Sequence, residues 1–161
     1  MNKIFIFIVG LVIASCTQPK KEKASLETGG ITELPPLMLT MLTGEKVMVS
    51  SLPGNTIIVF FNPDCDHCQR EAQAIQSQLE AFKKYTLYFV APGLPADIQL
   101  FADTYHLTGY SNVLFARADI PDVIRILGPM STPSLFIYSN EKKLVKKFDG
   151  ETKIEEILKF L

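Results

Sequence analysis

Residues 56–61, TIIVFF, constrain the fold more than any other stretch of this chain. Every side chain is β-branched or aromatic and none is charged. Such a run fits a central strand buried on both faces, in a sheet covered above and below. Asn62-Pro63-Asp64 stops it, and the periodicity then changes. Cys68, Ala72, Ile75, Leu79 and Phe82 step by four, three, four and three along one helical stripe. Gln69, Arg70, Gln73, Gln76, Glu80 and Lys83 fall mostly elsewhere.

The rest of the chain alternates in the same way. Residues 37–42 and 47–49 flank Thr43-Gly44-Glu45 as an N-terminal β-hairpin. Residues 86–91 read as a strand and 95–105 as a helix with Ile98, Phe101, Ala102 and Tyr105 on one face. A βα unit follows: a short strand at 113–116, then a helix at 120–127 capped by Asp119 with Pro121 in its first turn. The stripe of that helix is Ile120, Val123, Ile124 and Leu127. Residues 134–138 and 144–148 form an antiparallel hairpin, and its lysines 142, 143, 146 and 147 read as a solvated edge that discourages further pairing. Thr152 with Glu155 makes a capping box for a last helix. The order implies an α/β domain with a central mixed sheet and helices on both faces.

The junction between the strand at 56–61 and its helix reads NPDCDHC. Cys65 falls at the helix N-terminus, where the first N–H groups have no partner, and Cys68 begins the buried stripe. One thiol is therefore exposed and the other shielded behind it. A helix N-terminus favours negative charge, and the thiolate is the reactive form of cysteine. Two cysteines at this spacing can close and open a disulfide with little backbone movement. A strand running into Cys-x-x-Cys at a helix start is a thioredoxin-like redox signature, in which Cys65 attacks and Cys68 resolves. His67 favours a thiolate beside it, whereas Asp64 and Asp66 oppose one, so an intermediate potential is expected.

The first residues set the compartment. Lys3 precedes an apolar run at 4–14, too short to span a bilayer comfortably but suited to a secretory signal. It ends in Ile13-Ala14-Ser15-Cys16, which resembles a bacterial lipobox. The expected organisation is a signal peptide at 1–15, a lipidated Cys16 opening a flexible tether at 16–33, and one domain at 34–161. Cys65 and Cys68 are then the remaining cysteines, in a compartment where disulfides persist. The expected location is extracytoplasmic, facing the periplasm, on a lipid anchor. A net charge of -1 over 161 residues gives no reason to expect a nucleic acid partner.

Ser131-Thr132-Pro133-Ser134-Leu135-Phe136 is similar to the loop in which thioredoxin-like proteins set a cis-proline against Cys-x-x-Cys. With the hairpin, the inserted βα unit and the leader, residues 34–161 resemble the TlpA/ResA-like thiol-disulfide oxidoreductases, which border the AhpC/TSA group. The resemblance implies a thioredoxin-like fold, Cys65 as nucleophile, Cys68 as resolving thiol, a cis Pro133, and a Thr132 backbone that pairs with substrate. It implies no bound cofactor, protein thiols and disulfides as substrates in the reductase direction, and a separate redox partner, often a membrane electron carrier. Two departures stand out. Asp64 replaces the usual tryptophan, and Val59 occupies the strand position where many thioredoxins carry a buried acid, leaving no evident proton acceptor for Cys68.

Three other readings compete. Cys65, His67 and Cys68 could bind copper or zinc, but a closed zinc site needs a fourth ligand, and the other histidine, His106, lies at a helix end. A peroxidase would place threonine or serine three residues before the attacking cysteine, where this chain has Asn62. A structural staple is poorly served by a two-residue loop, because it constrains little of the unfolded chain.

Overall fold

The computed structural model describes residues 31–161. The expected leader at 1–15, Cys16 and most of the tether lie outside the described residues. The chain joins the sheet earlier than the expected boundary at 34: Leu144 N–H donates to the Thr32 carbonyl at 2.8 Å, and Glu33 bridges to Lys143.

Seven strands form one sheet. They are β1 (Met38–Met41), β2 (Lys46–Met48), β3 (Asn55–Phe60), β4 (Tyr85–Ala91), β5 (Val113–Arg117), β6 (Ser134–Tyr138) and β7 (Leu144–Asp149), in the order β2-β1-β5-β4-β3-β6-β7. β3 and β5 run parallel to β4, whereas β6, β7 and the β1–β2 hairpin run antiparallel to their neighbours. The mixed sheet with its flanking helices is the thioredoxin-like fold expected from the sequence.

The TIIVFF run supplies both cores. Ile57, Val59 and Phe61 point to one face, Ile58 and Phe60 to the other, as the two-residue period of a strand requires. The first face is covered by α1 (Asp66–Ser77), α2 (Pro95–Thr104) and α4 (Ile154–Leu158). Phe61 centres an aromatic group there, with ring centroids 4.4 Å from Phe101, 6.0 Å from Phe89 and 6.3 Å from Phe115. The second face is covered by α3 (Ile120–Leu127) and by Leu34, Leu37, Leu39, Val49 and Leu52 of the N-terminal segment.

Five local expectations are corrected. α1 stops at Ser77, and Leu79–Phe82 continues as a 3₁₀ turn that still carries Phe82 into the core. The capping box does not form: the Thr152 hydroxyl donates to the Gly150 carbonyl, and α4 starts after Lys153. Asp119 sits at the N-cap of α3 but makes no side-chain cap, because its carboxylate takes Arg117 at 2.5 Å. The stripe of α3 is only partly buried; Leu127 is covered, while Ile120 and Ile124 remain 53% and 50% exposed. The lysines of the β6–β7 hairpin are more engaged than a solvated edge: Lys142, in the turn, donates to the Ser50 carbonyl, and Lys146 lies over the Phe148 and Phe160 rings.

Candidate functional site

The site lies where the C-terminal ends of β3 and β4 meet the start of α1 and the loop before β6. After Phe61 the Asn62 side chain accepts from Asp64 N–H at 3.2 Å, and its carbonyl accepts from Cys65 N–H at 3.1 Å. These contacts turn the chain so that Cys65 becomes the N-cap residue of α1. Its Sγ accepts from Cys68 N–H at 3.3 Å, the bond an N-cap side chain makes to an unpaired helix N–H. Cys65 is partly exposed and Cys68 is 2% exposed; both are free thiols. Burial, followed by its contact with Cys65, pushes the Cys68 thiol up to about 12.

The loop before β6 closes over this pair. Cys65 Sγ lies 3.6 Å from the Thr132 carbonyl, and the Thr132–Pro133 peptide is cis. Asp149 pins the loop by accepting from Ser131 N–H at 3.0 Å and from the buried Ser134 hydroxyl at 3.2 Å. Gly150 N–H donates to the Pro133 carbonyl at 2.8 Å. Gly150 takes φ +91°, a conformation other residues adopt only with strain, and so turns β7 back toward α1.

Asp64 and Asp66 are exposed on the rim of the site. His67 is also exposed, and its Nδ1 lies 2.6 Å from Glu151 in the β7–α4 loop. Among the described residues, no cluster of three His, Cys, Asp or Glu side chains is placed to hold a metal ion. His106 follows the C-cap residue of α2 with φ 52° and is exposed.

The buried acid that the sequence does not place on β3 lies on α1. Val59 is buried and apolar, as its place in the strand indicates, but Glu71 is 2% exposed on the covered side of α1. It lies one turn past Cys68, so the two side chains are helix neighbours. Glu71 Oε2 accepts from Thr152 N–H at 2.9 Å, while Oε1 has no hydrogen-bond partner among the described residues. Burial raises its pKa to about 7 against the pull of the Thr152 N–H, with the nearby Glu151 charge adding to the rise. The signal was available: Glu71 stands three residues after Cys68, inside the stripe that continues with Ala72 and Ile75.

An apolar cleft of about 260 Å³ is lined by Phe60, Val90, Ile120, Ile124 and Met130 and reaches Asn62 and Thr132, the two residues whose carbonyls contact Cys65. A polar cleft of about 540 Å³ lies beside Asp64 and Gln69, with Asp97 on its wall.

The profile of the AhpC/TSA family matches residues 32–147. No curated protein matches the chain. Among solved structures, the thioredoxin domain of a Bacteroides vulgatus thiol-disulfide oxidoreductase is similar with a TM-score of 0.66 and 19% identity, over 82% of this chain and 97% of that one. A secreted Mycobacterium tuberculosis disulfide oxidoreductase homologous to E. coli DsbE gives 0.65 and 17%, over 77% and 92%. Copper-bound ScoI of Arabidopsis thaliana gives 0.62 and 12%, over 80% and 94%. At these identities the likeness is one of fold.

Proposed function

The chain belongs to the AhpC/TSA family, and on that premise we propose that it exchanges disulfides with other proteins through Cys65 and Cys68, as a reductase outside the cytoplasm. The observation that carries this reading is the placement of Cys65: an N-cap thiol 3.6 Å from the Thr132 carbonyl, with Cys68 buried behind it. The Cys65 thiolate attacks one sulfur of a substrate disulfide, forms a mixed disulfide and releases the other sulfur as a thiolate. Cys68 gives up its proton, attacks Cys65 Sγ and releases the second substrate thiolate. The substrate gains two electrons and the Cys65–Cys68 pair becomes a disulfide, which a separate redox partner must reduce.

Glu71 is the proton acceptor in this scheme. Its open Oε1 and its pKa of about 7 suit a base working near neutrality. The backbone of Thr132 pairs with an extended substrate segment, and the apolar cleft takes a large apolar side chain next to the substrate cysteine. The reductase direction is supported by the buried Cys68, whose thiolate the surroundings disfavour; a reduced form that is not stabilised gives a reducing couple. The location rests on the leader, Lys3 with its apolar run, and on Cys16 as the lipid-bearing residue.

The test is trapping. The Cys68→Ser chain, incubated with a disulfide-bonded protein such as insulin, accumulates a mixed disulfide through Cys65, and Cys65→Ser forms none. Full exchange by either variant overturns the assignment.

A further inference from the structure

Two side chains near the start of α1 share one carboxylate. Arg70 Nε donates to Glu151 Oε1 at 2.8 Å, and Arg70 Nη2 donates to Glu151 Oε2 at 2.7 Å, a bidentate pair. His67 Nδ1 lies 2.6 Å from the same Oε2 and 2.7 Å from Arg70 Nη2. Nδ1 can donate to the carboxylate or accept from the guanidinium, but one nitrogen cannot do both. An unprotonated Nδ1 would set two acceptors 2.6 Å apart, whereas Arg70 Nη2 already has Oε2 to donate to, so Nδ1 donating to Glu151 is the arrangement that satisfies the carboxylate.

The backbone on both sides holds Glu151 in place. Gly150 N–H is bound to the Pro133 carbonyl and Thr152 N–H to the buried Glu71. Glu151 is therefore fixed between the cis-proline loop and the buried acid, unlike an isolated surface ion pair. Its carboxyl is held down to about 2, first by the Arg70 hydrogen bond and then by that of His67, so the acceptor remains ionised. Among the described residues, Cys65 Sγ is hydrogen-bonded to Thr132 and Cys68, and no bond joins it to His67.

We propose that Glu151 is a positioning residue for the Cys65–Cys68 couple: by binding His67 through Nδ1 it holds the imidazole off Cys65 and keeps the reduced form from being stabilised. The inference rests on the exchange reading above. A histidine free to donate to the Cys65 thiolate would favour the dithiol and raise the reduction potential. Arg70 serves as the brace that orients the carboxylate.

A double-mutant cycle on the full chain, equilibrated with glutathione at pH 7, separates positioning from plain charge. A long-range effect of the Glu151 charge acts whether or not His67 is present, so the two substitutions then multiply independently. Positioning makes them non-additive. Glu151→Ala, which removes the acceptor as well as the charge, is expected to shift the equilibrium toward the dithiol by about tenfold, a rise of about 30 mV. His67→Ala alone changes it by less than about twofold. The pair Glu151→Ala/His67→Ala returns to within about threefold of the unaltered chain. No shift in Glu151→Ala, or independent multiplication, overturns the proposal. If Glu151→Ala does not fold, ¹⁵N spectra of His67 in the unaltered chain decide instead: a neutral ring protonated on Nδ1 supports the tether, and one protonated on Nε2 overturns it. A chain with no reversible couple in any form sinks the exchange reading, and the His67 spectra still decide the tether.

Discussion

Glu71→Gln is the substitution that tests the buried acid most sharply. The folded protein raises this carboxyl from 4.5 to about 7, chiefly by burial. Between those values the folded state binds more protons than the unfolded state. Stability therefore falls as pH rises from about 4.5 to about 7 and is flat above. At 1.36 kcal/mol per pKa unit the ionised Glu71 costs the fold about 3 kcal/mol at pH 8. Glutamine keeps an oxygen for Thr152 N–H and cannot ionise. At low pH its buried amide stands where the protonated acid stood, so the two proteins should have similar stability. At pH 8 the variant should be more stable by about 3 kcal/mol. Asp149, held below its usual range, keeps the same environment in both proteins and cancels in the difference, and the repulsion between Glu151 and an ionised Glu71 is already contained in the Glu71 shift. Urea unfolding of both chains at pH 4.5, 6 and 8 measures it. A difference that does not change with pH, or one that favours the unaltered chain at pH 8, would refute the argument. The same substitution removes the proton acceptor, so the variant should gain stability and lose exchange rate together, the trade expected of a strained functional group.

The remaining predictions are these. Phe61→Ala opens the centre of the aromatic group and should cost about 3–5 kcal/mol by denaturant unfolding; a loss below about 1 kcal/mol would mean the group is not the core of that face. Ile124→Ser, on the exposed side of α3 in the apolar cleft, should change stability by less than about 0.5 kcal/mol. It should raise KM for a protein disulfide while leaving a small disulfide such as oxidised glutathione unaffected; equal effects on both substrates would remove the cleft from substrate recognition.

Much of this architecture was legible because each element repeats one simple period. The TIIVFF run alternates cleanly between two cores, and the stripe starting at Cys68 predicted which cysteine is buried. Other features were hidden for physical reasons. A 3₁₀ turn at Leu79–Phe82 keeps Phe82 on the core side, so the stripe does not reveal where α1 stops. Thr152 and Glu155 have the spacing of a capping box, yet the Thr152 N–H goes to Glu71, a partner 81 residues away. Ile120 and Ile124 form a proper helical stripe, but half of its surface lines an open cleft, which periodicity cannot distinguish from core. Glu71 is the instructive case. Its position inside the stripe was visible, but a carboxylate there looks like an error of patterning until the neighbouring thiol is considered.

Exchange through Cys65 and Cys68 requires a reversible two-electron couple between them. Its most direct test is to equilibrate the full chain with thiol buffers of known potential and count free thiols by alkylation and mass. One transition is expected, in which both thiols disappear together, with a midpoint nearer that of thioredoxin, about -270 mV, than that of a strong oxidant, about -120 mV. Thiols that oxidise independently, or that never pair, would contradict it.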